Sequence, residues 1–314
     1  MPFSHHSHSG QFCKHASGTL EEIVLEAIRQ KFTIYGLSEH APRYRLGDRY
    51  PEEQQTSLEE LEAQFDAFVE EAHRLKQAYS SIITLLVGAE TEYITPEDCC
   101  HLTEVLERHK GRIEYLVGSV HHVNEIAIDF DKPTFECALQ SLSAKKAAGD
   151  TTVEEFLETY IDAQYELITR FQPEIIGHFD LCRLYTPDLD FRGFPGVLGK
   201  IKRNISYACG YGALFEFNAA AFRKGWVTAY PGIDIVEEIL RVGGRFTLSD
   251  DSHGPHAVGL NYDKLYAYLR ELGITELWYL QTDDSVQHDR RAKPFKLEGK
   301  WWLNEFWRAR GIPL

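Results

Sequence analysis

The side chains best suited to chemistry in this 314-residue chain are His6, His8, His15, His40, Glu90, His121, His178, Asp251 and His253. Most follow directly on a short apolar run. His40 follows TIYGLS, Glu90 follows ITLLVGA, His121 follows YLVGSV, His178 follows IIG, and Asp251 and His253 follow FTLSD. A single histidine after an apolar run is usually an ordinary loop residue. A set of them, always after the run and never before it, points to convergence at one place. Imidazole and carboxylate together suit borderline to hard divalent ions such as zinc, iron or manganese. Glu90 and Asp251 matter most, because a carboxylate can bridge two cations roughly 3.5–4 Å apart. Water held by such ions is acidified towards a pKa of about 7 and becomes a nucleophile, which suits hydrolysis of a phosphate ester. On this reading Glu90, Asp251 and His253 are both ligands and the catalytic set.

A phosphoryl group also needs its other oxygens neutralised. Arg183 lies just beyond His178, and Arg223 lies just past the FEFN run. Guanidinium forks match phosphate oxygens bidentately; the plainer role for each arginine is pairing with a surface acid. Cys13, beside Lys14 and His15, has neighbours that lower a thiol pKa, yet a buried structural thiol is the reading preferred here. Asp180, Asp250 and His122 adjoin the ligand candidates, as partners that orient imidazoles or as general acids.

These residues need elements that bring distant parts of the chain together. Apolar β-type runs at 33–38, 82–89, 114–120, 174–177, 213–217, 245–248 and 276–280, with a short strand before His6, alternate with amphipathic helical patterns. Thr19 opens one helix, Ser57 with Glu60 forms a capping box before another, and Thr95-Pro96 places proline at a first helical position. Strand–helix alternation over the whole length predicts a parallel sheet with crossover helices. Seven or eight such units favour a closed, TIM-like α/β barrel in a single domain, whose strand C-termini meet at one mouth. Residues 124–150 read as a rim insertion, and the tail from about 281, with Trp301, Trp302 and Trp307, is expected to pack back on the barrel.

The net charge of −15 and the absence of a basic stripe argue against binding long nucleic acids. No apolar run approaches a membrane span, and the polar first residues carry no secretory pattern. The cysteines Cys13, Cys99, Cys100, Cys137, Cys182 and Cys209 form no C-x-x-C pair and read as reduced thiols of a cytoplasmic protein. The oligomeric state has no signature in the sequence.

The order of motifs resembles the PHP (polymerase and histidinol phosphatase) superfamily, and within it the histidinol-phosphate phosphatase branch. The stretches that carry the resemblance include HHSHS at 5–9, FCKHASGTLEE at 12–22, GLSEHAP at 36–42, GAETEYI at 88–94, GSVHHV at 118–123, IDFDKP at 128–133, GHFDLCR at 177–183 and SDDSHGPHAVG at 249–259. The resemblance implies a distorted (β/α)7 barrel, with the 276–280 run outside the sheet, and three divalent metal ions (Zn, Fe or Mn). It implies one ion held by His6, His8, Glu90 and Asp251, a second by Glu90, His121 and His178, and a third by His15, His40 and His253. Arg183 and Arg223 occupy positions similar to the family's phosphate contacts. The implied substrate is the small phosphate ester L-histidinol phosphate, cleaved to histidinol and phosphate in histidine biosynthesis. Another phosphate ester or a nucleotide is the competing substrate, and a non-catalytic metal-binding protein is the competing class. Asp129 and Asp131 are candidates for the substrate ammonium, against an ordinary loop-stabilising role. Two positions depart from the family pattern: Ser4 stands where an acid is common, and Asp250 is an extra acid beside Asp251.

Overall fold

The apolar runs become seven strands in the structure, a computed structural model that describes residues 2–143, 152–282 and 292–312. The strands are β1 (Phe3–Ser4), β2 (Ile34–Leu37), β3 (Thr84–Glu90), β4 (Tyr115–Gly118), β5 (Ile175–Ile176), β6 (Leu214–Asn218) and β7 (Arg245–Ser249). They form one sheet in sequence order, every pairing parallel. Both faces are covered, so the strands read as near-continuous apolar runs rather than alternating ones. β1 and β7 do not pair along their length. Just beyond them, Ser7–His8 pairs in parallel with Ser252–His253. Below that ladder, Ser4 Oγ donates to Asp250 Oδ1 at 2.9 Å. The sheet is therefore a nearly closed (β/α)7 barrel, as expected.

Long helices return the chain after each strand: α1 (Leu20–Arg29), α2 (Leu58–Ala78), α3 (Pro96–Arg108), α4 (Lys132–Ser143), α5 (Thr152–Phe171), α6 (Pro195–Tyr211), α7 (Ile233–Arg241) and α8 (Tyr262–Glu271). In α1, Leu20, Ile23, Val24 and Ala27 make the buried stripe at helical spacing. Thr19 and Glu22 close its capping box, as Ser57 and Glu60 do for α2.

Below the mouth the barrel is filled by side chains. The Tyr115 ring crosses the interior and its hydroxyl donates to His5 O at 2.9 Å. Glycine at 36 and 88 makes room for that ring; a Cβ on Gly88 would lie 2.5 Å from it. The rim insertion holds a small hairpin, His122–Val123 with Ile126–Ala127, followed by α4; its 144–150 part lies outside the described residues. The run expected at 276–280 forms strand Trp278–Thr282, which pairs antiparallel with Ala292–Lys296 apart from the barrel sheet. Residues 283–291 of the tail also lie outside the described set. Trp301 and Trp307 are buried, with their indole N–H groups donating to Ile274 O and Trp301 O, both at 2.8 Å. Among the described residues no helix is long and apolar enough to cross a membrane.

Candidate metal centre and active site

The expected ligands sit where the strands end, at one mouth of the barrel. His6 and His8 lie on the extended chain beyond β1, where alternation turns both to one side. The ladder with Ser252–His253 sets His8 opposite His253. His40, beyond β2, bridges to Glu90 at the end of β3. Asp251 has φ of 47°, a left-handed conformation rare for a non-glycine residue. That bend lets the chain leave β7, present the Asp251 carboxylate and re-enter the ladder at Ser252.

Glu90 is the centre of the cluster. Its Oε1 lies 3.2 Å from His6 Nε2, 3.2 Å from His121 Nε2 and 3.1 Å from His178 Nε2. Its Oε2 lies 3.3 Å from His8 Nε2 and 2.8 Å from His40 Nδ1. Asp251 Oδ1 is 3.7 Å from Nε2 of both His6 and His8 and 3.5 Å from His253 Nδ1. Donor atoms of Cys13, His15, His40 and His253 form another group, all within 4.8 Å of one another. All nine residues singled out from the sequence as ligands are thus brought together, and each of the three groupings implied by the resemblance is compact.

The donors have the posture of metal ligands. Nε2 of His6, His8 and His40 and Oε2 of Glu90 are buried without a hydrogen-bond partner. They are near one another but not aimed as donor and acceptor, as atoms directed at shared points between them would be. Behind three of the imidazoles stands a carboxylate. His6 Nδ1 meets Glu216 at 3.1 Å, His8 Nδ1 meets Glu39 at 3.4 Å, and His121 Nδ1 meets Glu92 at 3.0 Å. A carboxylate there keeps the proton on Nδ1 and leaves the Nε2 lone pair facing the mouth. The charge balance agrees. Burial opposes the charged form of His6, but Glu90, Asp251 and Glu216 outweigh it and its pKa stands well above the ordinary value. In the same way burial opposes charge on His8, and hydrogen bonds to Glu39 and Glu90 raise it to about 9. Burial opposes ionisation of Glu90 and Asp251, yet the surrounding imidazoles hold both carboxyls well below their usual range. His15, His40 and His253 go the other way, burial and the charge on His8 holding each below the ordinary value, so a cation entering beside His6 and His8 would compete with protons there.

Glu39, Glu92 and Glu216 were not singled out from the sequence. Glu92 lies two residues past Glu90, so strand alternation points it to the same side; Glu39 directly precedes His40; Glu216 stands inside β6, whose Asn218 also donates to it at 2.8 Å. The supports expected instead have other duties. Asp180 accepts from Arg183 and from Gly232 N–H. Asp250 accepts from Ser4, Tyr35 and Gly259 N–H, a strut between β1, β2 and β7, and burial pushes its pKa up to about 6. The two departures from the family pattern, Ser4 and Asp250, are thus each other's partners. His122 lies 3.3 Å from Glu92 rather than against a ligand imidazole.

The mouth opens into a cavity of about 450 Å³. Arg223, Lys224 and His256 are among its lining residues, as are Asp129, Glu52 and Tyr50, so cationic and anionic side chains both border it. Arg223 is exposed, with Nη2 3.5 Å from Asp251 O. Arg183 is a correction. It is 3% exposed and does not line the cavity. Its guanidinium bonds Asp180, Asp234 and Leu189 O, which engages all five N–H donors, so none is left for a phosphate. The 3-10 turn Leu181–Arg183 folds it back onto Asp180. Asp131 caps α4 through Thr134, a structural duty, while Asp129 faces the cavity. Cys13 is buried, as expected; burial raises its thiol pKa, and its Sγ lies 3.2 Å from His15 Nε2.

Residues 4–220 match the PHP domain family. The chain is 47% identical over 284 residues, 90% of each chain, to the "Probable histidinol-phosphatase" of Schizosaccharomyces pombe. It is 30% identical over 319 residues, 91% of this chain and 93% of the other, to the "Histidinol-phosphatase" of Saccharomyces cerevisiae. It resembles in fold the histidinol phosphate phosphatase of Lactococcus lactis, solved with zinc, L-histidinol and phosphate, with a TM-score of 0.62 and 19% identity over 88% of this chain and 95% of that one. With the domain matched over more than half its length and close relatives spanning nearly all of it, this chain belongs to the PHP family, in its histidinol-phosphatase branch.

Proposed function

We propose that the protein is a metal-dependent phosphomonoesterase that hydrolyses L-histidinol phosphate to L-histidinol and inorganic phosphate, a step of histidine biosynthesis. The observation that carries this reading is the convergence of six imidazoles and two carboxylates, with His15 at the rim, on one cavity bordered by Arg223. The naming of its relatives supplies the substrate.

His6, His8, Glu90 and Asp251 would hold one divalent ion, Glu90, His121 and His178 a second, and His15, His40 and His253 a third. When bound, such ions supply an acidified water and neutralise charge on the phosphoryl oxygens. The remaining work falls to the chain. Glu216, Glu39 and Glu92 fix the tautomer and aim of three imidazoles. Arg223, with Lys224 beside it, offers donors to phosphate oxygens at the cavity wall. Asp129, which accepts from Tyr50 Oη at 3.3 Å, offers a carboxylate to the substrate ammonium. A substrate with a phosphate at one end and an ammonium at the other fits a cavity bordered by both signs of charge.

Phosphate release from L-histidinol phosphate, measured beside a panel of neutral phosphate esters and nucleotides on metal-stripped and reloaded protein, tests the proposal. Metal-dependent turnover favouring histidinol phosphate is expected. Equal turnover of every ester would remove the substrate assignment, and no release from any would leave only a cation-binding protein. Asp129→Asn should raise KM for histidinol phosphate about tenfold, the worth of one charged hydrogen bond, with kcat little changed. An equal loss on neutral esters would show that Asp129 does not meet the amine.

A further inference from the structure

Cys13 is placed with more care than a core thiol needs. The turn that carries it is clamped by Cys13 N–H donating to Ser9 O at 2.8 Å and Ala16 N–H donating to Cys13 O at 3.2 Å. Ser9 is in turn held by Glu39, whose carboxylate accepts from the Ser9 N–H at 2.7 Å and from its hydroxyl at 3.0 Å. This fixes Cys13 and His15 two residues apart on one rigid turn. Cys13 also borders a small crevice lined by both apolar and charged side chains, Phe12 and Phe65 with Glu39 and Arg43. Sγ lies 3.2 Å from His15 Nε2, and Sγ with donor atoms of His15, His40 and His253 forms a single group within 4.8 Å. His40, a member of this group, has its Nε2 buried without a partner while its Nδ1 meets Glu90 at 2.8 Å. None of the other cysteines joins such a group among the described residues.

We propose that Cys13 is a fourth protein ligand at the position shared by His15, His40 and His253. The inference rests on the reading that this mouth holds divalent ions, and it distinguishes one position from the other two. Those two are built from imidazole and carboxylate alone, which suits several hard or borderline ions. A set of one sulfur and three nitrogens suits zinc and disfavours manganese. With Cys13 this position has four protein ligands of its own, the number of a filled tetrahedral zinc site, whereas the position of His6, His8 and Asp251 reaches four only by sharing Glu90 with its neighbour. The ion binds as the thiol releases its proton to solvent, so occupancy of this position falls in acid.

Cobalt reconstitution of the full chain tests this. The wild type and a Cys209→Ser control should show a sulfur-to-cobalt charge-transfer band in the near ultraviolet. Cys13→Ser and Cys13→Ala should lack the band and lose about one equivalent of cobalt more readily to a chelator, the consequence of removing one of four ligands. A band that persists in Cys13→Ser, or a wild type without one, overturns the proposal. Should the Cys13 variants fail to fold, cadmium NMR of the wild type answers without them: a resonance in the sulfur-ligated range supports the assignment, and resonances only in the nitrogen and oxygen range refute it. Phosphate release measured in parallel separates the two readings. A sulfur signature without hydrolysis keeps Cys13 as a ligand and removes the phosphatase; hydrolysis without the signature does the reverse.

Discussion

The body of the barrel and its mouth are built from the same seven strands but place their polar groups differently. In the body, Tyr115 Oη donates to His5 O, Tyr35 Oη to Asp250 and Tyr262 Oη to Phe3 O, so these three buried rings end on acceptors from the chain, while the small hydroxyls of Thr247 and Ser249 on β7 have none. At the mouth, Nε2 of His6 and His8 and Oε2 of Glu90 crowd within about 3.3 Å of imidazole or carboxylate atoms without forming an aligned hydrogen bond, and His40 Nε2 has no partner. A buried polar atom without an aligned partner costs about 1–3 kcal/mol, so the mouth gives up stability to present a donor set that suits divalent cations. The body owes its stability to contacts within the chain. Variants of the two regions should therefore fail differently.

Glu90→Gln should show the largest effect. It removes the carboxylate that reaches five imidazoles, and turnover should fall by more than about 100-fold with ion content reduced, since even supporting residues behind a metal ligand are worth 10–100-fold. The metal-free protein should still fold but lose some stability, because His6 and His8 lose a buried counter-charge, so ion content is the decisive readout. Retention of full turnover and full ion content would mean that the mouth is not the metal centre. Arg183→Met should do the opposite. It strands Asp180 and Asp234 in the interior and should lower stability by about 3–5 kcal/mol, read by urea unfolding, while the KM of the protein that remains folded stays near the wild-type value. If stability holds and KM rises instead, Arg183 reaches the phosphate after all. Glu216→Gln sits at the boundary: it keeps shape but weakens the grip on His6 Nδ1, and about 10–100-fold should be lost in ion affinity or activity. An unchanged ion affinity would make Glu216 a packing residue. The smallest effect belongs to Gly88→Ala, whose added methyl meets the Tyr115 ring. Overpacking of this kind costs about 1–3 kcal/mol, so thermal unfolding should shift downward with kcat at low temperature unchanged.

The strands and the ligands were legible in the sequence for one reason. A parallel barrel buries both faces of its strands, so each strand is an apolar run, and its function begins where the run stops. His40, Glu90, His121, His178 and Asp251 all obey that rule. The supporting carboxylates did not announce themselves, because their meaning depends on a neighbour distant in sequence: Glu216 lies 210 residues from His6. Glu92 carried a local signal in its two-residue offset from Glu90. Arg183 misled because nearness to His178 in sequence was read as nearness to the cavity. The D-x-x-R spacing of Asp180 and Arg183, an i,i+3 pair, held the better clue. Asp250 and Ser4, read separately as oddities, acquire sense only once β1 and β7 are seen to meet.

The Ser7–His8 ladder with Ser252–His253 stitches the beginning of the chain to a point about four fifths of the way along it. Residues 8 to 253 must all be synthesised before His8 can find its opposite number, and contacts of such long sequence separation form late and slowly. A product ending before residue 251 lacks Asp251 and His253, two of the nine candidate ligands, and with them the ladder that seats His8, so a full complement of cations requires synthesis past residue 253.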